Sequence, residues 1–391
     1  MPMREKLCVC AVCQNNDSFW CIDAIIGGLY HFDKVNRSIR CVLSPKQIYR
    51  EGYFLVRKIL YWNRKIFILP THLNKEWVVY NIQTEQIDYF HPIPFHFISE
   101  ETIVIENHAF CIPFFSNEPV LILDLETLQY EKKVNIWKER EMPEKIFEIW
   151  NAKTVENEIY FLIHNSSYLC KISIKDEKII ILEIPEKMSC ADFCNNDGWA
   201  LTVTGKTLYK LDENGACLEK IEMETNQKFI RLIATYRFVF LLPQKGNTIL
   251  VYDAYLHQFN LINSGIEEIS HLLPEKLYFS SYWEYIIEKN KIHFMPCRYP
   301  YFIIDLVTLN NEQSDLSHSD IFSKEHYWKY YFWIQNLNPR IFVEETEENL
   351  VGFINMIKYI EVKAVEGRPK KSKIWEYMKK NLYEEILKGF C

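Results

Sequence analysis

A short pattern occurs seven times between residues 7 and 317 of this 391-residue chain. Each copy has a polar turn, a hydrophobic segment, a gap, and then an apolar residue followed by Asp or a substitute. The seven final pairs are Phe32-Asp33, Tyr80-Asn81, Leu123-Asp124, Ile172-Ser173, Leu211-Asp212, Tyr252-Asp253 and Ile304-Asp305. Successive pairs are 48, 43, 49, 39, 41 and 52 residues apart, about 45 on average, which is typical of structural repeats. The chain is also longer than one hydrophobic core usually supports, so a repeat architecture is expected.

Each copy contains two hydrophobic segments separated by a hairpin turn. In the second copy they are residues 58–61 and 66–70, and in the third they are 102–105 and 109–113. Four copies end the second segment in a proline, whose ring cannot donate a ladder hydrogen bond: Pro70, Pro113, Pro243 and Pro296. Six of the seven hairpin turns contain Asn, which tolerates left-handed backbone angles, and the exception is 234–237.

The recurring Asp precedes a second turn, as in residues 124–127. Its carboxylate can accept backbone N–H bonds and shape that turn. Four antiparallel strands in each of seven copies predict an all-β fold, a seven-bladed β-propeller over residues 1–317. The innermost strands are expected near Cys8, Ile59, Val104, Thr154, Phe193, Ile233 and Ile286.

The blade pattern resembles kelch-like and quinoprotein-like bacterial propellers over about four-fifths of the chain. Such a resemblance implies the fold and is almost silent on function. A kelch blade has a double glycine, and only Gly27-Gly28 offers one here; the Trp-Asp dipeptide of WD40 blades is absent. No ligand motif for a quinone or for calcium is present, so neither a cofactor nor a metal is predicted.

Residues 318–391 break the repeat and predict a small, mainly helical appendage. Ser372 is a suitable N-cap for a last helix through Lys388. One stripe of that helix is apolar: Ile374, Met378, Leu382 and Ile386. Because isolated helices of this length are marginal in water, the stripe is expected to dock on the propeller or on a partner, and the sequence leaves both alternatives open.

Composition narrows the classes of function and location. The net charge of −7 gives no support for nucleic-acid binding. No apolar run approaches the roughly 20 residues of a membrane span, and residues 1–20 do not have the pattern of a signal peptide. A cytoplasmic location is therefore expected, with the 12 cysteines reduced. The richness in Ile, Lys and Asn suggests a bacterial source.

No catalytic motif is present, and the nearest metal motif is Cys8-x-Cys10-x-x-Cys13. A structural zinc needs four well-placed ligands, and no second Cys-x-x-Cys follows. Buried cysteines on an innermost strand are the simpler interpretation. The 11 histidines are scattered without a metal or catalytic spacing.

The best candidate for a binding surface is the set of loops that join the second and third strands, because these loops lie together on one face of a propeller. The predicted loops are residues 71–74, 114–117, 164–167, 244–247 and 297–299. The predicted binding residues are His72, Phe114, Phe115, Asn117, His164, Asn165, Lys245, Asn247, Arg298 and Tyr299. Their mixture of aromatic, amide and basic side chains predicts a non-catalytic scaffold that binds a protein or peptide.

An enzyme is the alternative interpretation. A lyase or hydrolase could act on a carbohydrate or a modified peptide in the central channel, with polar groups from several blades that no single motif reveals. A ring of acidic, His or Tyr side chains at the mouth of the channel would favour this alternative. Neither interpretation involves nucleic acid or a membrane.

Overall fold

The computed structural model describes residues 9–15, 17–23, 28–48, 56–137, 145–195, 197–244, 248–263, 284–295, 301–314 and 317–318. Within these ranges the regular structure is β-strand, apart from the one-turn helix α1 (Pro45–Ile48). The predicted helical appendage, 318–391, lies outside these ranges except for its first residue. No helix in the described ranges is long and apolar enough to cross a membrane.

The strands form antiparallel sheets, with consecutive strands of the chain side by side. The first four strands are β1 (Val9–Gln14), β2 (Ser18–Asp23), β3 (Leu29–Asp33) and β4 (Ser38–Leu43). The next sheet contains β5 (Val56–Trp62), β6 (Lys65–Pro70), β7 (Trp77–Asn81) and β8 (Ile87–Phe90). The sheet after it contains β9 (Ser99–Ile105), β10 (His108–Pro113), β11 (Val120–Asp124) and β12 (Gln129–Val134).

A sheet of seven strands follows, because one long strand is shared by two groups of four. Its strands are β13 (Ile149–Val155), β14 (Glu158–Ile163), β15 (Ser166–Ser173), β16 (Lys178–Cys194), β17 (Asp197–Thr202), β18 (Thr207–Leu211) and β19 (Cys217–Glu222). The first part of β16, 178–183, pairs with β15, and its last part, 188–194, pairs with β17. The strand is therefore the last of one group and the first of the next.

Two further four-stranded sheets complete the described chain. One contains β20 (Phe229–Ala234), β21 (Phe238–Pro243), β22 (Thr248–Asp253) and β23 (Gln258–Asn263). The other contains β24 (Tyr285–Glu288), β25 (Lys291–Phe294), β26 (Tyr301–Asp305) and β27 (Asn311–Ser314). The short strand β28 (Ser317–His318) then pairs in parallel with β4, through Ser317 with Ser38 and His318 with Ile39.

The core lies between successive sheets. Phe67 and Trp77 of β5–β8 pack in one cluster with Leu121 of β9–β12. The last sheet packs in the same way on the first, where the rings of Phe32 and Tyr301 are 5.2 Å apart. The sheets thus follow one another around a closed ring, a geometry in which each unit buries its apolar faces against its neighbours.

The first strand of each group faces the centre of this ring. Strand β1 contacts β5, β5 contacts β9, β9 contacts β13, β13 contacts β16, β16 contacts β20, and β24 contacts β1. The innermost positions predicted from the sequence lie in these strands at Ile59, Val104, Thr154, Phe193, Ile233 and Ile286. Cys8 lies outside the described residues, and β1 begins at the next residue.

The turn predicted after the apolar–Asp pair is confirmed at the six pairs that end in Asp or Asn. The Asp124 Oδ1 atom accepts the backbone N–H groups of Glu126 at 2.9 Å and Thr127 at 2.6 Å. The same contacts recur at Asp33, Asn81, Asp253 and Asp305. Asp212 Oδ1 instead accepts the N–H groups of Asn214 and Ala216. The residue after Asp124 also donates to the Asn107 carbonyl at 2.7 Å, which ties the two turns of one sheet together.

The hairpin turns differ from the prediction in detail. The left-handed angle was expected at the Asn, yet in three turns it falls on the preceding residue: Glu106, Glu156 and Lys289. One role of the Asn is instead to hold the recurring Asp, since Asn107 Nδ2 donates to Asp124 Oδ2 at 2.9 Å. In the turn without Asn, the Arg237 guanidinium takes that role on Asp253, with Nη2 2.6 Å from Oδ2.

The prediction that a proline ends the second strand of four copies is confirmed for the three prolines that the structure describes. Pro70, Pro113 and Pro243 end β6, β10 and β21, and Pro296 lies outside the described residues. The predicted loop 164–167 is wrong by two residues, because β15 already begins at Ser166. The Ser166 hydroxyl donates to the Ile163 carbonyl at 2.7 Å, which closes this connection after only His164 and Asn165.

Candidate binding site in the central channel

Charged side chains cluster where the innermost strands begin. Arg57 and Lys58 lie near the start of β5, Glu100 and Glu101 near the start of β9, and Arg231 near the start of β20. With Glu284, just before β24, they line a cavity of about 270 Å³. The remaining lining residues are Thr71, Ser99, Phe114, Trp150, Asn151 and Ile230. We call this space the channel cavity.

The channel cavity lies on the face that carries the connections between second and third strands. An antiparallel hairpin brings the end of its second strand beside the beginning of its first. Thr71 directly follows β6 and Phe114 directly follows β10, and both line the cavity. The predicted binding face and the charged ends of the innermost strands therefore meet at the same place.

Two ion pairs connect β5 with β9 inside the channel cavity. The Arg57 guanidinium pairs with the Glu100 carboxylate, and its Nε atom donates to the Glu100 carbonyl at 2.9 Å. Lys58 Nζ lies 2.8 Å from Glu101 Oε1. Because its Nε atom binds the main chain, Arg57 is held in place even when the Glu100 side chain is neutral.

The carboxyl groups of the cavity differ in their acidity. Burial raises the pKa of Glu100 to about 7, against the opposing effect of Arg57. Burial also raises the pKa of Glu284, opposed by Lys58 and Arg231. Burial also acts to raise the pKa of Glu101, but the positive charge of Lys58 outweighs burial, so the pKa of Glu101 is lowered. Near neutral pH the cavity thus holds three cations against fewer than three full negative charges.

Arg231 keeps its charge inside the cavity. Burial works to lower the pKa of Arg231, but Tyr285 and Glu284 outweigh it and raise that pKa. The Arg231 guanidinium also lies 4.7 Å from the centre of the Tyr285 ring, a cation–π contact. Further along the innermost strands, Lys153 Nζ pairs with Asp192 Oδ2 at 2.9 Å, and the same oxygen accepts the Ala234 N–H at 2.8 Å.

Trp150 gives the cavity a fixed aromatic wall. Its ring is stacked on His164 with centres 3.9 Å apart and an angle of 14° between the planes. The indole N–H donates to Glu148 Oε2 at 3.1 Å, and His164 Nδ1 lies 2.8 Å from the Ser189 carbonyl. Burial lowers the pKa of His164, so the imidazole is neutral near pH 7.

Asn151 also lines the cavity, and it contains a polar atom that is buried without a partner in the described chain. Its backbone has a φ of 56°, in the left-handed region, next to an irregularity in the pairing of β13 with β14. Its Nδ2 atom is buried and has no hydrogen-bond partner within the part of the chain that the structure describes. A buried polar group in this state is costly unless a partner satisfies it.

Comparisons with known proteins extend this description to the fold family. No protein-family model matches the chain, and no curated protein matches it. Among solved structures it is similar to virginiamycin B lyase from Staphylococcus aureus, with 10% identity, 75% of this chain and 95% of that chain covered, and a TM-score of 0.56. The fold is a β-propeller.

Two further structures agree with this assignment. The computationally designed Ika8 protein covers 82% of this chain and 92% of its own, at 10% identity and a TM-score of 0.51. The extracellular domain of the putative one component system BT4673 from B. thetaiotaomicron covers 79% of this chain and 42% of its own, at 9% identity and a TM-score of 0.54. Identities this low carry the fold and not the function.

The propeller places six of the ten predicted binding residues, and all six lie in connections between second and third strands. Phe114 lines the channel cavity and lies 4.8 Å from Phe115, ring centre to ring centre. His164 stacks behind Trp150, while His72 Nδ1 lies 3.2 Å from His96 Nε2. Asn117 is exposed. The backbone N–H of Asn165 donates to the backbone carbonyl of Met188 in β16 at 2.9 Å. Lys245, Asn247, Arg298 and Tyr299 lie outside the described residues.

The charged residues of the channel cavity were not predicted from the sequence. A signal for both ion pairs was present, because Arg57 and Glu100 are 43 residues apart, as are Lys58 and Glu101. This is the interval between the second and third copies of the repeat. Residues one repeat apart occupy equivalent positions on neighbouring innermost strands. Opposite charges at that spacing therefore indicate an ion pair across the channel wall.

Metal ligands were not predicted, and the described residues contain one group that could supply them. The ligand atoms of His108, Asp124 and Glu131 lie within 4.8 Å of one another. Both oxygens of Asp124 already accept hydrogen bonds within its own sheet. At the cysteine motif, burial raises the pKa of the Cys13 thiol, which disfavours the thiolate that a metal needs.

Proposed function

We propose that this chain is a seven-bladed β-propeller that binds a protein or peptide, without catalysis, through the face that carries the channel cavity. The seven blades would be the groups of four strands that begin at β1, β5, β9, β13, β16, β20 and β24. We also propose that these blades are of the kelch-like or quinoprotein-like class and that the protein is cytoplasmic.

One observation carries the functional part of this proposal. The channel cavity, with paired charges and the aromatic groups of Phe114 and Trp150, lies amid the connections that the sequence selected as a binding face. Its volume of about 270 Å³ is close to the lower end of the 300–1,000 Å³ that is typical of ligand pockets. A cavity of this size suits one or two side chains of a larger partner that rests on the surrounding loops.

Site-specific photo-crosslinking tests the face. A photoreactive aromatic amino acid is introduced at Phe115, and a matched protein carries it at Tyr236, an exposed ring in the opposite turns. We expect a discrete crosslinked partner from the Phe115 position and none from Tyr236. Crosslinks only from Tyr236, or none from either position in cells of the source organism, would contradict the proposal.

Loss of binding gives a second measurement on the same face. Replacing Phe114 and Phe115 by Ala, together with Arg298 and Tyr299, is expected to abolish recovery of the crosslinked partner in a pull-down. The matched control is Tyr236→Ala with Tyr255→Ala, which removes two exposed aromatic rings from the other face. Unchanged recovery with the first protein would remove the case for this face.

The enzyme alternative has one observation in its favour, the carboxyl group of Glu100. A pKa of about 7 is suited to general acid–base catalysis at neutral pH. If the chain is a lyase or hydrolase for a carbohydrate or modified peptide, Glu100→Gln should abolish turnover and leave crosslinking from Phe115 intact. Turnover that is unchanged in Glu100→Gln would exclude Glu100 from catalysis.

A further inference from the structure

Three side chains of one sheet bring metal-ligating atoms together at the end of the strands away from the channel cavity. His108 begins β10, Asp124 ends β11 and Glu131 lies in β12. A ring nitrogen and two carboxylate oxygens, one atom from each residue, lie within 4.8 Å of one another. The shortest contact given for the group joins His108 Nε2 and Glu131 Oε2 at 3.3 Å. We call these residues the three-ligand cluster.

The pairing of the strands explains why the three side chains meet. His108 and Asp124 are directly paired across β10 and β11, and directly paired residues have neighbouring side chains on one face of a sheet. Leu123 pairs with Tyr130, and the register shifts before the next pair, which leaves Glu131 as the extra residue of a β-bulge. A bulge re-aims a side chain, and here the Glu131 carboxylate reaches the imidazole of His108.

Asp124 is oriented in the way that is usual for a metal-binding carboxylate. Its Oδ1 atom accepts two backbone N–H groups of the following turn, and its Oδ2 atom accepts Asn107 Nδ2 at 2.9 Å. Carboxylates that bind metals are commonly held by outer hydrogen bonds of this kind. Because each carboxylate oxygen has two lone pairs, the contact with Asn107 leaves Oδ2 a lone pair for an ion.

The fold does not itself require a histidine opposite the Asp. At four other turns with the recurring Asp or Asn, the residue paired directly with it is of another type: Ser18, Lys65, Phe238 and Lys291. The turn therefore forms equally well beside a hydroxyl, an ammonium group or a phenyl ring. Among these five turns, the combination of an imidazole with a second carboxylate belongs to the sheet of His108 alone.

Solvent access and the number of ligands decide which ion suits the cluster. The side chains of His108 and Glu131 are 35% and 47% exposed, so an ion can enter from solvent and both side chains can turn toward it. Ca²⁺ takes about six to eight oxygen ligands, more than two carboxylates supply. Zn²⁺ binds His nitrogen and carboxylate oxygen at about 2.0–2.2 Å, and open zinc sites combine three protein ligands with water.

We propose that His108, Asp124 and Glu131 bind one Zn²⁺ ion, with water as the fourth ligand. The ion cross-links β10, β11 and β12, and it fastens β12, of whose six residues four are exposed, to the rest of the sheet. This site is independent of the proposed function, because it lies at the other end of the strands from the channel cavity. The alternative is a simple ion pair between His108 and Glu131, which binds no metal.

Calorimetric titration of the chelator-treated full chain with Zn²⁺ tests the proposal. The variants are His108→Asn and Glu131→Gln, each of which removes one ligand and leaves the Asp124 turn in place. Loss of an outer hydrogen-bond partner already weakens metal sites by about 10–100-fold. We therefore expect one zinc site of the parent to be weakened at least about ten-fold in each variant. Cysteine sites elsewhere in the chain are the same in all three proteins and do not contribute to this difference.

A second His–Glu pair supplies the matched control. His257 Nδ1 lies 3.1 Å from Glu219 Oε1, and neither residue belongs to a group of three ligands in the described chain. His257→Asn and Glu219→Gln should therefore bind zinc like the parent. Melting curves give an independent measurement, because an ion that binds only the folded chain stabilises it. Zinc should raise the melting temperature of the parent and of the controls more than that of His108→Asn or Glu131→Gln.

Three results would overturn the inference. The first is a parent chain that binds no zinc at millimolar concentration. The second is zinc binding that is the same in the parent, His108→Asn and Glu131→Gln, which would assign the metal to other residues. The third is an equal loss of zinc affinity in His257→Asn, since a pair without a third ligand would then serve as well. Any of these results would leave His108 and Glu131 as an ion pair.

Discussion

Among single residues, Glu100 has an unusual environment for a carboxyl group. It lies on an innermost strand, its side chain is 13% exposed, and it pairs with Arg57. Its pKa rises to about 7 because burial penalises the charged carboxylate more than Arg57 favours it. Between about pH 4.5 and 7 the folded protein therefore holds a proton that the unfolded chain has released. The free energy of unfolding must fall as the pH rises through this interval.

The variant Glu100→Gln should remove this pH dependence. From pH 5 to pH 8, the parent is expected to lose about 1–3 kcal/mol more of its free energy of unfolding than the variant does. Urea unfolding at pH 5, 6, 7 and 8 measures the difference between the two profiles. Parallel profiles would mean that Glu100 ionises as it does in an unfolded chain.

At the scale of strands, one cross-strand pair between β16 and β17 combines a large residue with a small one. Phe193 and Gly198 are directly paired across these strands. A Cβ atom at Gly198 would lie 2.5 Å from Phe193 Cε1, so the phenyl ring occupies the place of the missing side chain. That ring is also stacked on Tyr160, with centres 4.3 Å apart. Gly198 is thus required by the ring that covers it.

Gly198→Ala should displace the Phe193 ring and destabilise the protein by about 1–3 kcal/mol, the usual cost of overpacking. Phe193→Leu creates room, so the double variant should be more stable than the sum of the two single effects predicts. Chemical unfolding of all four proteins measures the coupling. Strictly additive effects would show that the ring is not what excludes a side chain at residue 198.

The sequence predicted the strands better than the turns between them. Hydrophobic segments ending in Pro70 and Pro113 identify strands because burial and a missing N–H act locally. The position of a left-handed residue depends on how the two strands pair, so Glu106 takes it and not the neighbouring Asn107. Arg237 could not be predicted as the partner of Asp253, because the shared role appears only when the two turns meet.

At the scale of the molecule, the ring closes where the last sheet meets the first. Lys34 Nζ lies 2.8 Å from Glu288 Oε1, and Arg37 Nη2 lies 2.5 Å from Glu312 Oε1. Strand β28 adds to β4 at the same junction. Residues about 250 positions apart in the chain are thus held together by charge, backbone pairing and the cluster that contains Phe32 and Tyr301.

Reversing one of these pairs tests the closure. Lys34→Glu and Glu288→Lys should each lower the melting temperature, and the double variant should recover part of the loss, with a coupling of about 1 kcal/mol. The same exchange at Lys210 and Asp197, a pair 2.8 Å apart within one sheet, is the control for an exposed pair. Coupling no larger than in the control would show that the junction does not depend on this contact.

The sequence could predict which loops share one face of the propeller but not the cavity among them. Phe114 belongs to a connecting loop, whose position follows from the order of the strands. Arg57, Asn151 and Arg231 each occupy a half-buried strand position that is unremarkable alone. Their meeting depends on the closure of the whole ring, which brings together residues from three distant strands.

The shared strand β16 sets two of the repeats apart from the others. Its 17 residues run without a break from the outer edge of one group of strands to the centre of the next. The next connection, between β19 and β20, is instead a loop of residues 223–228, and a repeat could be gained, lost or exchanged in evolution by cutting the gene at such a loop. A cut inside β16 would divide a strand that pairs with both groups, so these two repeats are expected to be inherited, duplicated or transplanted as a single module.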